Sequence, residues 1–390
     1  MEIKRLNESD YVDSMKLSMY AFQYKIPDED IESRKKMLDK HRLLGIREQN
    51  QLAAKLHIIP LTVVIGQEEW KMGGLAGVAT YPEYRRNGYV RELVSASLKD
   101  MKDHGEIVSL LHPFDIGFYR RYGWEIFVDH KKVVITRDKL KMLPPSIGMV
   151  KRYNKNTHSS AIEEVYRKYS LGFNGMLVRD HDWWMNSIYH EESIAVHSNE
   201  LGEMDGYILY TVKDKVMDVQ EFVALNHMAR RGLWNFICQH DSMVEKVQIL
   251  LSTHDILPYC LHTPKLQAEV YPYFMARLVD VESCLNKFSF VNTGENLFIH
   301  LEDQYAPWNN GTYMISEDGV KVFKDKPGSA CAHPPQKGIS MDINSLTAII
   351  FGYKRPMELY EIGRLTGNMK EIEHLEKMIP SSKSFFYDFF

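Results

Sequence analysis

The sequence has few cysteines, and none is spaced for a disulfide or metal framework. Scattered single cysteines without a Cys-x-x-Cys pair are typical of reduced structural thiols. The 16 histidines include no His-x-x-x-His pair with a carboxylate partner, so we predict no metal site. The four cysteines among the 390 residues are Cys238, Cys260, Cys284 and Cys331.

Long apolar runs and a strong charge of either sign are also missing. No run of 18 apolar residues occurs, so no membrane span is predicted. The opening Met1–Leu6 lacks the apolar centre of a signal peptide, and we expect a cytoplasmic protein. A net charge of −4 gives no general attraction for nucleic acid or anionic lipid. A hydrophobic content of 44% suffices instead for two or three globular domains.

The most informative stretch, Val78–Arg91, combines the end of a strand, a basic turn and the start of a helix. The small apolar residues of Gly74–Ala79 lead into it and are typical of a buried strand. The turn contains two arginines and one glycine. Its backbone N–H groups and the positive end of the helix dipole would bind an anion, most often a diphosphate. Apolar residues then recur at helical spacing: Leu93, Val94, Ala96, Leu98 and Met101.

A second motif, Phe118–Trp124, reads Phe-Tyr-Arg-Arg-Tyr-Gly-Trp and follows a short apolar strand at Ile107–Leu111. We predict a short helix that ends at Gly123, and then a strand from Trp124 to about Ile135. The elements before this motif are predicted in the order β-α-α-β-β-β-α-β.

The remainder of the chain repeats part of this pattern after the paired prolines at 144 and 145. Strands predicted at 193–197, 204–211 and 216–223 feed a helix near 230–241. The link between them, Leu225–Gly232, lacks the Pro-Glu-Tyr-Arg-Arg-Asn-Gly sequence of the first turn. We therefore predict a second domain of the same type that has lost cofactor binding, with an unrelated α/β domain as the alternative.

The two motifs resemble those of the GNAT superfamily of N-acetyltransferases. Arg85–Val90 is similar to the Arg/Gln-x-x-Gly-x-Gly/Ala turn that holds the pyrophosphate of acetyl-CoA, although Val90 stands where the family prefers Gly or Ala. The Phe118–Trp124 sequence motif also recurs in that superfamily. The resemblance implies acetyl-CoA as co-substrate, bound by Val78, Ala79, Thr80, Arg85, Arg86, Asn87, Gly88, Tyr89, Val90, Arg91, Phe114 and Asp115.

The whole chain resembles the Eis-type (enhanced intracellular survival) acetyltransferases, also through Met275–Val281 and the aromatic carboxyl end. The resemblance implies a mixed α/β (α+β) fold of tandem GNAT domains and a sterol-carrier-protein-like domain. We place them at residues 1–144, 145–282 and 283–390. It also implies acetylation of a small-molecule amine, aminoglycosides among them, and assembly as a homohexamer. Phe389 stands at the penultimate position, where an acidic residue would better suit aminoglycosides.

The resemblance also assigns two catalytic roles. Tyr119 matches the general acid that protonates the coenzyme A thiolate, with Tyr122 as its competitor. The carboxylate of the last residue, Phe390, matches the general base, and its apolar neighbours are expected to bury it and raise its pKa from about 3.5. Asp388 and Glu125 are alternative bases. Neither motif contains a cysteine, so we expect direct transfer in a ternary complex.

Two other functions remain open. The chain could bind a lipid or another hydrophobic ligand through the sterol-carrier-like domain, with structural GNAT halves. It could also acetylate lysines of a partner protein. The intact basic turn argues against the first alternative, because a purely lipid-binding protein has no use for it.

Overall fold

The computed structural model describes residues 2–189, 193–324 and 337–390, and Cys331 lies outside them. Two sheets organise the described chain. The strands of the larger sheet are β1 (Ile3–Leu6), β2 (Arg42–Glu48), β3 (Gln51–Ile65), β4 (Glu68–Thr80), β5 (Val108–Leu111), β6 (Glu125–Thr136), β7 (Met149–Tyr153), β8 (Ser193–Ser198), β9 (Met204–Lys213), β10 (Val216–Ala224), β11 (Lys246–Ser252) and β12 (Gln267–Leu278). The strands of the smaller sheet are β13 (Leu297–Glu302), β14 (Gly311–Ser316), β15 (Gly319–Phe323), β16 (Ile339–Asp342) and β17 (Leu365–Thr366).

Twelve α-helices connect these strands in the described ranges. They are α1 (Tyr11–Phe22), α2 (Ile31–Asp39), α3 (Tyr89–Asp103), α4 (Ile116–Arg120), α5 (Ser160–Ser170), α6 (His181–Trp183), α7 (His227–Cys238), α8 (Leu257–Cys260), α9 (Val281–Lys287), α10 (Ile343–Ile350), α11 (Pro356–Glu361) and α12 (Met369–Met378). None of the helices in the described ranges is long and apolar enough to cross a membrane.

The larger sheet runs through both halves of the chain in the order β1-β2-β3-β4-β5-β12-β6-β11-β10-β9-β8-β7. Strand β12 pairs with β5 and β6, and β6 pairs with β11, so each half is completed by a strand from the other. The sequence analysis did not predict β7, β11 or the full length of β12. Proline is rare inside a paired strand. Pro272, in β12, lies at an irregularity in the pairing with β6.

The first half has the predicted order of elements. Tight hairpins join its strands: Gly66 and Gln67, between β3 and β4, both have positive φ, as a type I′ turn requires. Strand β3 continues through Pro60. Its pairing with β2 ends at Ile58, so the N–H that Pro60 lacks is not needed for that ladder.

Helices α1 and α3 pack on opposite faces of β3 and β4. A Cβ built on Gly73 would meet the side chains of Met101 and Glu106, on the α3 side, whereas one built on Gly74 would meet Phe390. Successive residues of a strand point to opposite faces, so Gly74 and the last residue of the chain lie on the α1 face. Helix α3 buries the apolar positions predicted from its periodicity, among them Leu93, Val94, Leu98 and Met101.

The smaller sheet, in the order β15-β14-β13-β16-β17, packs with α9–α12 to form the last part of the chain. A buried ion pair joins it to the larger sheet: Arg277 on β12 donates from Nη2 to Asp303 Oδ1 over 2.7 Å and from Nη1 to Oδ2 over 3.0 Å. Both side chains are almost fully buried. Removing one partner of such a pair would leave a buried charge without compensation.

Candidate active site

A cleft opens where β4 and β5 separate. The two strands are parallel and pair only over Met72–Gly74 and Val108–Leu110. Beyond Gly74, β4 continues to Thr80 along β3 alone, and Ala76–Val78 are partly exposed. In sheets of this kind, ligands bind at the carboxyl ends of parallel strands where their connections diverge.

The basic turn lies at this end of β4 and leaves the start of α3 open. Gly88, at φ +81, is the N-cap, and no side chain caps the helix. Glu92 N–H is the first to find an intrahelical acceptor, and no described residue accepts from the amides of residues 89–91. Arg86 has a φ of +66, an uncommon conformation for a residue with a side chain that costs about 1 kcal/mol. The geometry is that of an anion site.

The arginines of the turn face solvent. Arg85 and Arg86 are exposed, and Arg91 Nη2 lies 3.0 Å from Glu92 Oε1 in an exposed ion pair. The hydroxyl of Tyr89 donates to Glu48 Oε1 over 2.7 Å, which fixes the first turn of α3 on β2. The arginines are thus available to a multiply charged anion, whereas Tyr89 anchors the helix.

Helix α4 follows the carboxyl end of β5 and brings Tyr119 to the same edge of the sheet. Asp115 caps the helix by accepting from the N–H of Phe118. Phe114 is 74% exposed, and its ring packs 5.5 Å from that of Tyr119. Tyr119 itself is 4% exposed. Burial, and to a smaller extent Tyr122, raises the pKa of the Tyr119 phenol above its ordinary value, so it stays protonated at neutral pH.

The last part of the chain holds α4 in place. Arg277 Nε donates to the carbonyl of Tyr122 over 2.8 Å. Asn344, on α10, donates from Nδ2 to the carbonyls of Arg120 and Trp124 over 3.1 and 2.9 Å. Sequence reasoning missed both residues, although Arg277 lies in the Met275–Val281 motif. Their contacts fix the turn that carries Tyr119.

The carboxyl-terminal segment reaches the first half of the chain. Residues 384–388 are buried, and the carbonyl of Phe386 lies 2.8 Å from His130 Nε2. The ring of Phe390 packs against Phe274, at 5.2 Å between centroids, and against Gly74, where a Cβ would lie 2.8 Å from the ring. The expected burial is partial, because Phe389 is 64% exposed and Phe390 is half-buried.

Both side-chain alternatives to the terminal carboxylate are engaged in ion pairs. Asp388 Oδ1 accepts from Arg179 Nε and from Trp183 Nε1, each over 2.8 Å, with no exposed side-chain surface. Glu125 Oε1 accepts from Arg120 Nη2 over 2.7 Å. With its side chain buried between Arg179 and Trp183, Asp388 anchors the tail.

A polar cluster beneath β4 gave no sequence signal. Lys55 and His57 alternate along β3 toward α1, and both are buried. Lys55 Nζ donates to Ser18 Oγ over 2.6 Å and lies 2.8 Å from His57 Nε2, and Ser14 Oγ is 3.4 Å from the same nitrogen. Burial lowers the pKa of Lys55 to about 7. Only the register of β3 on β4 and α1 brings these groups together.

The corresponding cleft of the second half is occupied by the protein's own groups. Strands β10 and β11 are parallel and pair over Val216–Val219 only. The next helix, α7, is capped by Asn226, whose Oδ1 accepts from the N–H of Ala229 over 2.9 Å. Asn226 Nδ2 donates to the carboxylate of Asp205. The hydroxyl of Tyr387 lies within 3.3 Å of both the N–H and the carbonyl of Phe222, on the diverging part of β10.

One group of potential metal ligands occurs in the described ranges, away from the first cleft: His158, Glu163 and His181. Glu163 Oε1 lies 3.0 Å from His158 Nε2 and 2.8 Å from His181 Nδ1. Hydrogen bonds of the carboxylate to two imidazoles account for this arrangement. The residues lie five and 18 positions apart, so sequence spacing did not reveal it.

Comparison with known families divides the chain into three parts. Residues 2–127 match the model of an acetyltransferase (GNAT) domain, and residues 175–278 match a second such model. Residues 281–387 match a sterol carrier protein domain. A protein of Streptomyces griseus described as an uncharacterized N-acetyltransferase is 22% identical over 332 residues, which cover 77% of each chain.

Solved structures share the complete fold. A protein of Enterococcus faecalis, described as of unknown function and a probable N-acyltransferase, superposes with a TM-score of 0.91 at 24% identity, covering 100% of this chain and 99% of that one. Eis1 from Mycobacterium abscessus gives a TM-score of 0.83 at 20% identity, with both chains covered completely. At these identities the likeness establishes the fold.

Proposed function

The chain belongs to the GNAT acetyltransferases, and we propose that it transfers the acetyl group of acetyl-CoA to a primary amine of a small polyamine-like or aminoglycoside molecule. The proposal rests on one observation. The start of α3 is uncapped, and it follows the part of β4 that no longer pairs with β5. GNAT domains generally use acetyl-CoA, whose diphosphate suits free amides and exposed arginines.

The cleft offers each part of acetyl-CoA a partner. Arg85–Arg91 would hold the diphosphate at the start of α3. The main chain of Val78, Ala79 and Thr80 would line the pantetheine arm, because β5 no longer covers this side of β4. Phe114 and Asp115 border the same edge from α4. The exposed apolar ring of Phe114 fits this role, since a bound ligand would cover it.

Tyr119 is proposed as the general acid. Its phenol is protonated at neutral pH, because burial raises its pKa. No described residue hydrogen-bonds the hydroxyl, which is therefore available to a leaving thiolate. No cysteine lies among the described residues at the cleft, which favours direct attack of the amine on the thioester over an acyl-enzyme.

The Phe390 carboxylate is proposed as a general base for the amine. Gly74 places the last residue against β4, beside the point where that strand leaves β5. Asp388 and Tyr273 hold the segment, the latter by donating to the carbonyl of Asp388 over 2.9 Å. These contacts support a role of the tail in the first cleft. The hexameric state and the cytoplasmic location remain predictions.

Hydrophobic-ligand binding is the second candidate, because an apolar groove lies between the end of α9 and the β14–β15 hairpin. Its lining includes Phe288, Phe290, Ile315, Val320 and Met378. A thermal shift with a fatty acid or sterol but not with acetyl-CoA would favour this candidate. We expect the reverse.

The direct test incubates the full chain with acetyl-CoA and a panel of polyamines and aminoglycosides, with mass detection of products. We expect an increase of one acetyl group on at least one amine. A variant extended by two glycines after Phe390 moves the terminal carboxylate and should lose at least 100-fold in kcat, while a two-glycine insertion at the exposed turn Gly294 serves as the control. Failure to acetylate any small amine would contradict the proposal.

A further inference from the structure

Acetyl transfer to an ammonium needs more proton acceptors than the tail supplies. The nitrogen loses one proton before it can attack and a second when the tetrahedral adduct collapses to the amide. Tyr119 returns one proton to the leaving thiolate, so one proton is released overall. The nitrogen of the adduct is much more acidic than an alkylammonium, so a carboxylate is matched to the second proton but poorly to the first.

The buried cluster on β3 contains bases that are better matched to the first proton. Lys55 is fully buried, and no carboxylate among the described residues contacts its ammonium nitrogen. A buried lysine without an acidic partner costs stability, and such groups concentrate at functional sites. Because Lys55 Nζ lies 2.8 Å from His57 Nε2, the two share protons, and their titration belongs to the pair.

The pair lies directly behind a bulge in β4. The pairing of β3 with β4 is irregular between Lys55 and His57, and Gly77, at φ +56, lies in this bulge. A Cβ on Gly77 would approach Lys55 Nζ to 3.0 Å and His57 Nδ1 to 3.4 Å. Gly77 is partly exposed and has no side chain, so the two buried nitrogens lie close behind a main-chain position that borders the cleft. The ring of Phe390 packs against Gly74, which lies three residues before Gly77, about 10 Å along the strand.

The surroundings favour the uncharged forms of Lys55 and His57. Helix α1 presents the hydroxyls of Ser14 and Ser18, and β4 presents no charged group. His41, just before β2, has its ring 5.8 Å from that of His57. Burial and the charge of Lys55 lower the pKa of His41 to about 4, with a smaller contribution from Lys40 on the other side. Burial also lowers the pKa of His57, further reduced by Lys55 and His41.

We propose that the Lys55–His57 pair accepts the first proton of the substrate ammonium, a role that rests on the proposed amine acetylation. The substrate N–H bond breaks as its proton goes to His57 Nδ1. The proton on His57 Nε2 passes to Lys55 Nζ, whose ammonium donates to Ser18 Oγ. The amine keeps the electron pair with which it attacks, and the Phe390 carboxylate takes the second proton from the adduct.

The test compares the pH profile of kcat/KM in the full chain and in Lys55→Met and His57→Gln. In the wild type, kcat/KM should rise with pH around pH 7 as the pair becomes neutral. This rise is the acid limb of the profile. Both variants should lose about 100-fold in kcat/KM at pH 8, and Lys55→Met should move the limb by at least one pH unit, with the Kd of acetyl-CoA unchanged. His41→Gln is the matched control, because the His41 ring makes no hydrogen bond to the pair and, with a pKa of about 4, is uncharged where the limb is measured, so the limb should stay in place.

A second variant guards against loss of folding in Lys55→Met. Ser18→Ala removes an acceptor that favours the charged lysine, so the acid limb should shift to lower pH while the pair is kept. Nitrogen-15 NMR of the free protein should show a lysine signal, absent from Lys55→Met, that titrates near pH 7. A limb unchanged in both variants, or a Lys55 that titrates near 10.5, would overturn the inference alone. A wild type that acetylates no amine would overturn the proposed function as well.

Discussion

The two clefts of the large sheet have the same architecture and opposite accessibility. Each forms where two parallel strands separate after three or four residue pairs, and each is followed by a helix. In the first, Gly88 starts the helix and no side chain caps it. In the second, Asn226 caps the helix and holds the carboxylate of Asp205 beside it. An identical fold therefore does not make an anion site: the helix amides must also be left free.

The difference extends to the strands. In the second cleft, Tyr387 takes the main-chain N–H and carbonyl of Phe222, the kind of groups that a pantetheine arm would use. In the first cleft, Ala76–Val78 stay partly exposed. The tail thus fills the second cleft and reaches the first with its last residue. In the second half of the chain, the cleft between β10 and β11 is the place where the tail is held.

The largest expected difference between the clefts concerns their tyrosines. Tyr119→Phe should lower kcat by 100-fold or more, because the thiolate loses its acid, while acetyl-CoA binding stays near normal. Tyr387→Phe should cost only about 1–2 kcal/mol of unfolding free energy, since it removes the two long hydrogen bonds between the hydroxyl and the main chain of Phe222. Steady-state kinetics and urea unfolding measure the two effects. Equal kcat in wild type and Tyr119→Phe would remove the assigned acid.

The second expected effect concerns the anchor of the tail in the second half. Arg179→Met leaves Asp388 and Glu221 buried without their cation, and we expect a loss of about 3–5 kcal/mol in unfolding free energy. Asp388→Asn keeps an acceptor for Trp183 Nε1 and should cost less. Both should lower kcat more than the affinity for acetyl-CoA. If kcat is unchanged in Arg179→Met, the tail does not contribute to the first cleft.

The smallest expected effect tests the cap in the second cleft. Asn226→Ala should destabilise the protein by about 1 kcal/mol, because the amide of Ala229 loses its acceptor. Acetyl-CoA affinity should not change, since the first cleft is untouched. Thermal unfolding and titration calorimetry measure the two quantities. A weaker binding of acetyl-CoA in this variant would mean that the second cleft takes part in cofactor binding.

The sequence predicted the local elements of the first cleft well. The apolar run before Val78, the helical spacing after Arg91 and the glycine of the turn each reflect local backbone preferences, and the strand, turn and helix lie where these patterns indicate. The role of Asn226 as a cap was also readable in principle, since asparagine before a helix is a common N-cap.

Contacts between distant segments could not be predicted. The exchange of β6 and β12 between the halves, the anchoring of Asp388 by Arg179 and the contact of Lys55 with Ser18 all depend on residues far apart in the chain. Lys55 illustrates the reason. Alternation in β3 predicts an apolar inward position, and only the packing of Ser18 from α1 explains a buried lysine there. Charge in a strand gives no indication of its partner.

The central claim is that one of the two clefts, the first, binds acetyl-CoA. Titration calorimetry of the full chain with acetyl-CoA tests it most directly, with Gly88→Asp as the variant that places a carboxylate at the start of α3. We predict one site per chain, with a Kd raised at least tenfold in Gly88→Asp, about 1.4 kcal/mol. Two sites per chain, or an unchanged Kd in Gly88→Asp, would contradict the claim.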